Sequence, residues 1–216
     1  MKDFQTTILV DLSRTKEELL ASFDRSRRKN IKKAEASGLI FRKASLEAWE
    51  FPAFYNIYRQ VWSNGGIETD PEKELEERLQ KKGSELFRCF KDGKIIGGAM
   101  ICKNYPDRMK FSIVACDPAY NEFRTNDFMY WNLMCYIKFQ GIKFADLGGF
   151  QENPDGKLQG VNRFKAMWNG KIQRDEIDIS PVKAIGRKAY RESLLLRDVI
   201  NMIKGRTAIK FKPKNN

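Results

Sequence analysis

Histidine is absent from all 216 residues. That absence removes Ser-His-Asp and Cys-His nucleophile pairs, His-ligated zinc and any imidazole proton carrier. Proton transfer falls instead to Asp, Glu, Tyr, Cys, Lys, the backbone or a substrate. Long apolar runs are also missing. The longest, Ile95 to Cys102, is far short of the roughly 20 residues that a bilayer helix needs. The opening MKDFQTTILV has no secretory h-region, so export is not expected. The four cysteines form no C-x-x-C pair and lie in apolar segments, which predicts reduced thiols and a cytoplasmic protein, with no metal site.

What the chain does have is positive charge: 40 Lys+Arg against 28 Asp+Glu, a net +12. Excess charge is a statement about partners, here nucleic acid, phosphate-bearing small molecules or an anionic membrane surface. Ten basic and two acidic residues follow Val182, so most of the excess lies at one end. The 42% hydrophobic content supports a core. We expect one domain over 1–180 and a basic amphipathic helix and tail over 181–216.

Thr6–Val10 reads as a strand, followed by a helix capped at Ser13 or Thr15. Arg25 to Glu35 predicts a helix with a basic face, closed by Gly38, and Leu39–Lys43 a strand. An aromatic-rich helix spans Leu46–Trp62, interrupted early by Pro52, and its Phe54, Tyr55, Tyr58 and Trp62 read as core. Asp70 reads as an N-cap with Pro71 at N1. Asp92-Gly93 predicts a type I′ hairpin joining Leu86–Phe90 to Lys94–Lys103, and Lys110–Cys116 adds a third strand. A helix over Asn126–Gln140 leads to a strand at Lys143–Leu147, and that crossover requires a partly parallel sheet. The class is α/β with a mixed sheet. Gly156–Gly160 reads as a mobile or ligand-ordered loop, before a short helix at Asn162–Trp168 and a last strand at Lys171–Ile179.

Several residues carry candidate chemistry. Asp146 ends a strand, where open α/β sheets place ligands, and it could equally cap a turn with Gly148. Arg124 could grip a phosphate or pair with Glu122 or Asp127, while Asn126 or Asp127 reads as a helix N-cap. Arg28 and Lys32, in the Arg27–Lys33 block, could bind RNA phosphates or a diphosphate head group, or be simply solvated. Glu68 and Asp70 are alternative proton acceptors.

The order strand, Asp117-Pro118-Ala119-Tyr120, loop, helix, Gly141-Ile142, strand resembles the central unit of the GNAT N-acyltransferase fold. The resemblance implies a mixed, partly antiparallel sheet flanked by helices. In that fold a Gln/Arg-x-x-Gly-x-Gly/Ala loop holds the pyrophosphate of acyl-CoA. Here the loop reads Asn121-Glu122-Phe123-Arg124-Thr125-Asn126-Asp127, without glycine. Three segments resemble the Fem-type branch, which adds amino acids from aminoacyl-tRNA to peptidoglycan precursors. They are Arg27 to Gly38, similar to R-x-N-I-R-x-A-E-x-x-G; Phe144-Ala145-Asp146-Leu147-Gly148-Gly149, similar to F/Y-D-L-G-G; and Arg163-Phe164-Lys165 to Gly170, similar to R-F-K-x-x-F-G-G.

This likeness implies that Lys165 neutralises a phosphate or the charge developing on the reacting carbonyl; the alternative is a solvated surface lysine. It also implies phosphate contacts from Arg163, Arg124, Arg28 and Lys32 and no bound cofactor, with the amine's proton taken by a catalytic carboxylate such as Asp146 or by the substrate. The donor would be aminoacyl-tRNA, with acyl-CoA as the alternative, and the acceptor an amine of an anionic, phosphate-bearing cell-wall precursor, with peripheral contact to a membrane surface. Fem-type enzymes carry two GNAT-like units and this chain matches mainly the second. It would act alone on a smaller acceptor, pair with another subunit, or be inactive in this role. A noncatalytic nucleic-acid-binding module is the reading from a different class.

Overall fold

The computed structural model describes residues 2–44, 50–66, 68–151 and 156–178. The 181–216 helix expected from sequence lies outside the described residues. Thr6–Gln173 forms one compact unit, which holds every side chain of the site below; 1–5 and 174–216, with the outer ends of the first and last strands, make up a second.

Strand β1 (Lys2–Asp11) leads to α1 (Lys16–Ser22) and α2 (Arg25–Glu35), then β2 (Ile40–Lys43). Helices α3 (Glu50–Asn64) and α4 (Glu72–Leu79) precede the meander β3 (Ser84–Lys91), β4 (Lys94–Tyr105) and β5 (Arg108–Cys116). A 3₁₀ turn, Pro118–Phe123, opens α5 (Thr125–Phe139), and β6 (Phe144–Gly149), α6 (Gly156–Ala166) and β7 (Lys171–Asp178) complete the order. The sheet runs β2-β3-β4-β5-β6-β1-β7. Strands β5 and β6 run parallel, joined over α5, whereas β1 lies antiparallel to β6. The α/β mixed-sheet expectation therefore holds.

Local chemistry explains most boundaries. The Thr15 hydroxyl accepts from the Glu18 N–H while the Glu18 carboxylate accepts from the Thr15 N–H, a complete capping box. Asp92 and Gly93, at φ 49° and 77°, turn the β3–β4 hairpin as the dipeptide demands. Pro52 is the third residue of α3, where no intrahelical N–H is needed, so it does not interrupt the helix. One core cluster joins Ile8, Leu19, Ile31, Phe87, Met129, Trp131 and Trp168 beneath α1, α2 and α5. A second joins Phe54, Tyr55, Tyr58, Leu75, Met100 and Ile113 beneath α3 and α4. Within it, Arg88 and Glu50 form a buried ion pair.

Three expectations are corrected. Pro71, not Asp70, occupies the N-cap position of α4; the Asp70 carboxylate pairs with Arg78 at 2.5 Å, and its backbone is held by the Tyr55 and Tyr58 hydroxyls. Gly156–Gly160 forms the first turns of α6 rather than a loop. Gly160, inside that helix, costs it about 1 kcal/mol against alanine, and tertiary anchoring outweighs it: buried Asn162 clamps the Gln151 backbone through both its N–H and its carbonyl. Neither Asn126 nor Asp127 caps α5, because left-handed Arg124 (φ 59°) takes that position and Asp127 turns inward.

Candidate active site

Strand β6 ends in Gly148-Gly149, and Gly148 has φ 77°, a conformation that L side chains rarely adopt. The turned backbone exposes the Gly149 carbonyl, which accepts from Lys165 Nζ at 2.7 Å. A Cβ on Gly148 would stand 3.0 Å from the Phe111 carbonyl, so the glycine also lets that backbone approach, and 3.7 Å from Lys165 Nζ, an ordinary contact. Asp146 is buried and accepts from the Gly148 N–H at 2.8 Å, which makes the turn-capping expectation a fact. Thr7 of β1, also buried, shares its hydroxyl proton between the Asp146 carboxylate and the Gly148 carbonyl at 2.8 Å.

Lys165 is only 8% exposed, so it is not a solvated surface lysine. Burial pulls its pKa down from 10.5 to about 8, the Asp146 charge opposes that fall, and Lys110 adds to it. About one molecule in ten therefore carries a neutral amine at pH 7. With one donor on a backbone carbonyl, the ammonium keeps two for a ligand. A fixed cation of this kind can neutralise an oxyanion or a phosphate; its neutral form can accept a proton.

Behind Lys165, Arg27 of α2 pairs with Asp127 at 2.6 Å, and Asn30 donates to the same carboxylate at 3.2 Å. The Arg27 guanidinium lies 4.8 Å from the Phe164 ring centroid. Asp127 titrates above the usual carboxylate range because burial outweighs the attraction of Arg27 and the Asn30 bond. Phe164 and Trp168 pack on Tyr130, and Phe23 meets Trp168 edge-on at 5.1 Å. Trp168-Asn169, at the place where the Fem-type pattern has Phe-Gly, is accommodated: Trp168 fills the core, and Asn169 takes the left-handed conformation at φ 52°.

The remaining sequence candidates do not converge on Lys165. Arg124 is exposed, and Asp127 pairs with Arg27 instead. Arg163 is exposed beside an open depression of about 350 Å³, lined also by Ser22, Asp24, Ala166, Met167 and Asn169. Arg28 and Lys32 are exposed on α2. That helix carries like-charge pairs at 25/28, 25/29, 28/32, 29/32 and 29/33, which cost about 1–2.5 kcal/mol together, and no acid in its first turn to suit its dipole. Sequence reasoning missed Thr7, whose β-branched side chain looks like any strand residue.

Among the described residues, the loop before α5 does not fit an acyl-CoA pyrophosphate. The Ala119 and Tyr120 N–H groups bond to Asp117, and the Arg124 N–H to the Asn121 carbonyl. At the start of α5 the Asp127 carboxylate takes its own N–H and puts a negative charge where the phosphates would need positive dipole. Among the described residues no acidic or cysteine cluster could hold a metal ion, and no helix is long and apolar enough to cross a membrane.

Comparison with known proteins agrees with this geometry. The crystal structure of FemX superposes with a TM-score of 0.71 at 15% identity, over 81% of this chain and 61% of that one. The C-terminal domain of a putative lysylphosphatidylglycerol synthetase from Agrobacterium fabrum gives 0.55 at 18% identity, over 82% and 60%. L-PGS from Bacillus licheniformis gives 0.57 at 13%, over 81% and 61%. The chain thus spans about three-fifths of these structures, and the likeness is one of fold. No curated protein sequence matches it significantly. The acetyltransferase (GNAT) domain model matches residues 21–166, from the end of α1 through Lys165. By that match, which covers more than half of the chain, and by its parallel β5–β6 pair and crossover helix, the chain belongs to the GNAT acetyltransferase-domain family.

Proposed function

We propose that this chain is an N-acyltransferase that moves an aminoacyl group from aminoacyl-tRNA to an amine of a phosphate-bearing cell-wall precursor. The observation that carries the reading is Lys165: a buried ammonium at the end of a parallel strand, held by a backbone carbonyl and not consumed by an ion pair. The acceptor amine attacks the acyl carbonyl, a C–N bond forms, the ester C–O bond breaks, and the departing ribose oxygen takes a proton that the amine loses. Lys165 stabilises the tetrahedral oxyanion, a role worth about 3–4 kcal/mol of barrier. Asp146 fixes the glycine turn on which Lys165 rests. None of these steps needs histidine. The Fem-type motif likeness supports the donor and acceptor, as does the misfit of the loop before α5 to a pyrophosphate.

The test is a thermal-shift panel with CoA, deacylated tRNA and a UDP-linked muropeptide. A ligand at one hundred times its Kd adds about 2.7 kcal/mol. Muropeptide should raise the Tm of the wild type and CoA should leave it unmoved, while Lys165→Ala, which lacks a charge needed only in the transition state, should keep the muropeptide shift and lose aminoacyl transfer. A shift with CoA alone would replace this reading by acyl-CoA transfer.

A further inference from the structure

Five exposed cations on α2, Arg25, Arg28, Lys29, Lys32 and Lys33, recur at helical spacing and form one stripe about 12 Å long. The opposite face is committed: Ile31 and Ala34 are buried, while Arg27 and Asn30 hold Asp127. Among the described residues none of the five enters an ion pair, although Arg28 gives one N–H to the Ala21 carbonyl. The nearest acids are engaged, Asp24 as the N-cap bonded to Ser26 and Glu35 with the Trp131 indole. The helix therefore tolerates same-sign repulsion and places two arginines near its own positive end, for a return to the fold of one hydrogen bond, from Arg28 to the Ala21 carbonyl.

We propose that this stripe is the docking surface for an RNA sugar–phosphate backbone, laid along α2 so that the end of the strand reaches Lys165. The proposal deepens the reading above and rests on an RNA-borne donor. Three observations select RNA. Cations recurring about every 5–6 Å suit a row of successive phosphates better than a single head group. The exposed large apolar residues Ile40, Phe139, Val161 and Ile172 lie on other elements, so α2 offers a bilayer nothing to insert. The first turn of α2 is also fastened to the end of α6, by the Asp24 N–H on the Met167 carbonyl at 3.0 Å and by Arg27 on Phe164, the residue before Lys165. Exposed Arg163 adds a cation at that junction.

The experiment measures anisotropy of labelled deacylated tRNA with the full chain across 50–300 mM KCl. Lys29→Gln/Lys32→Gln/Lys33→Gln is compared with Lys73→Gln/Lys81→Gln/Lys82→Gln, which removes equal charge from exposed sites on and after α4. The stripe variant should weaken binding by about tenfold or more and lower the log–log salt slope by about 2–3, whereas the control keeps both. Its Tm should not fall, since repulsive pairs are removed. Wild-type binding by the stripe variant, or equal losses in both triplets, would overturn the proposal. So would loss of binding to phosphatidylglycerol vesicles with tRNA binding intact. A muropeptide shift that survives such a failure would leave the transferase reading standing.

Discussion

Replacing Lys165 with methionine should stabilise the protein at neutral pH while removing the charge that the proposed reaction needs. The amine titrates at about 8 in the folded chain against 10.5 for an ordinary lysine. Because the folded pKa is the lower, the unfolded chain binds more protons between these values, so stability rises with pH across the window from about 8 to 10.5. At 1.36 kcal/mol per unit, the charged amine costs the native state about 3 kcal/mol at pH 7 and under about 1 kcal/mol at pH 10. Methionine keeps the length and apolar stem but forfeits the bond to the Gly149 carbonyl, about 1 kcal/mol at any pH. Lys165→Met should therefore be about 2 kcal/mol more stable than wild type at pH 7 and about equal to it at pH 10. Urea denaturation of both proteins at the two pH values measures the difference directly, and common titrations cancel. A gap that changes by less than about 0.5 kcal/mol between pH 7 and pH 10 would refute the buried-ammonium reasoning.

Thr7→Val should cost about 1–3 kcal/mol by leaving the Asp146 carboxylate short of a donor, with Thr7→Ser recovering most of it, as read from denaturation midpoints. Arg27→Met strands the Asp127 carboxylate and should cost about 3 kcal/mol, most of it restored by adding Asp127→Asn. Breaking the buried Arg88–Glu50 pair by Glu50→Leu should cost about 3–5 kcal/mol, whereas Arg88→Met with Glu50→Leu should lie within about 1 kcal/mol of wild type; a double variant as unstable as the single would contradict this.

The parts of this molecule legible in its sequence are those set by local chemistry. The helix start at Ser13 or Thr15, which the structure resolves to Thr15, the Asp92-Gly93 turn and the strand–helix–strand crossover over α5 all follow from neighbouring residues. Asp70 misled because Pro71 can supply a helix start without a side-chain cap, and because the carboxylate finds Arg78 instead. Gly156 and Gly160 misled because Asn162, binding the Gln151 backbone, overrides their weak helix propensity. At the site, motif likeness located Lys165 and Asp146 but not their burial. Thr7 was invisible since its partner is far away in sequence. Arg28, Lys32, Arg124 and Arg163 share a sign with Lys165, yet their exposure places them on the surface.

The separation between Thr7 and Asp146, 139 residues, has a kinetic consequence. During synthesis at about 5–20 residues per second, the segment bearing Thr7 waits on the order of ten seconds before β6 exists to receive it. The place of β1 beside β6, next to last in the sheet, therefore fills late, by addition of the earliest-made strand to the second of the parallel pair. Until then Ile8 and Val10 are uncovered, and pairing them closes a loop nearly as long as the compact unit, a contact that slows folding. Lys165 consequently meets its carbonyl only when nearly all of that unit has emerged, so that truncated or stalled chains carry no competent site.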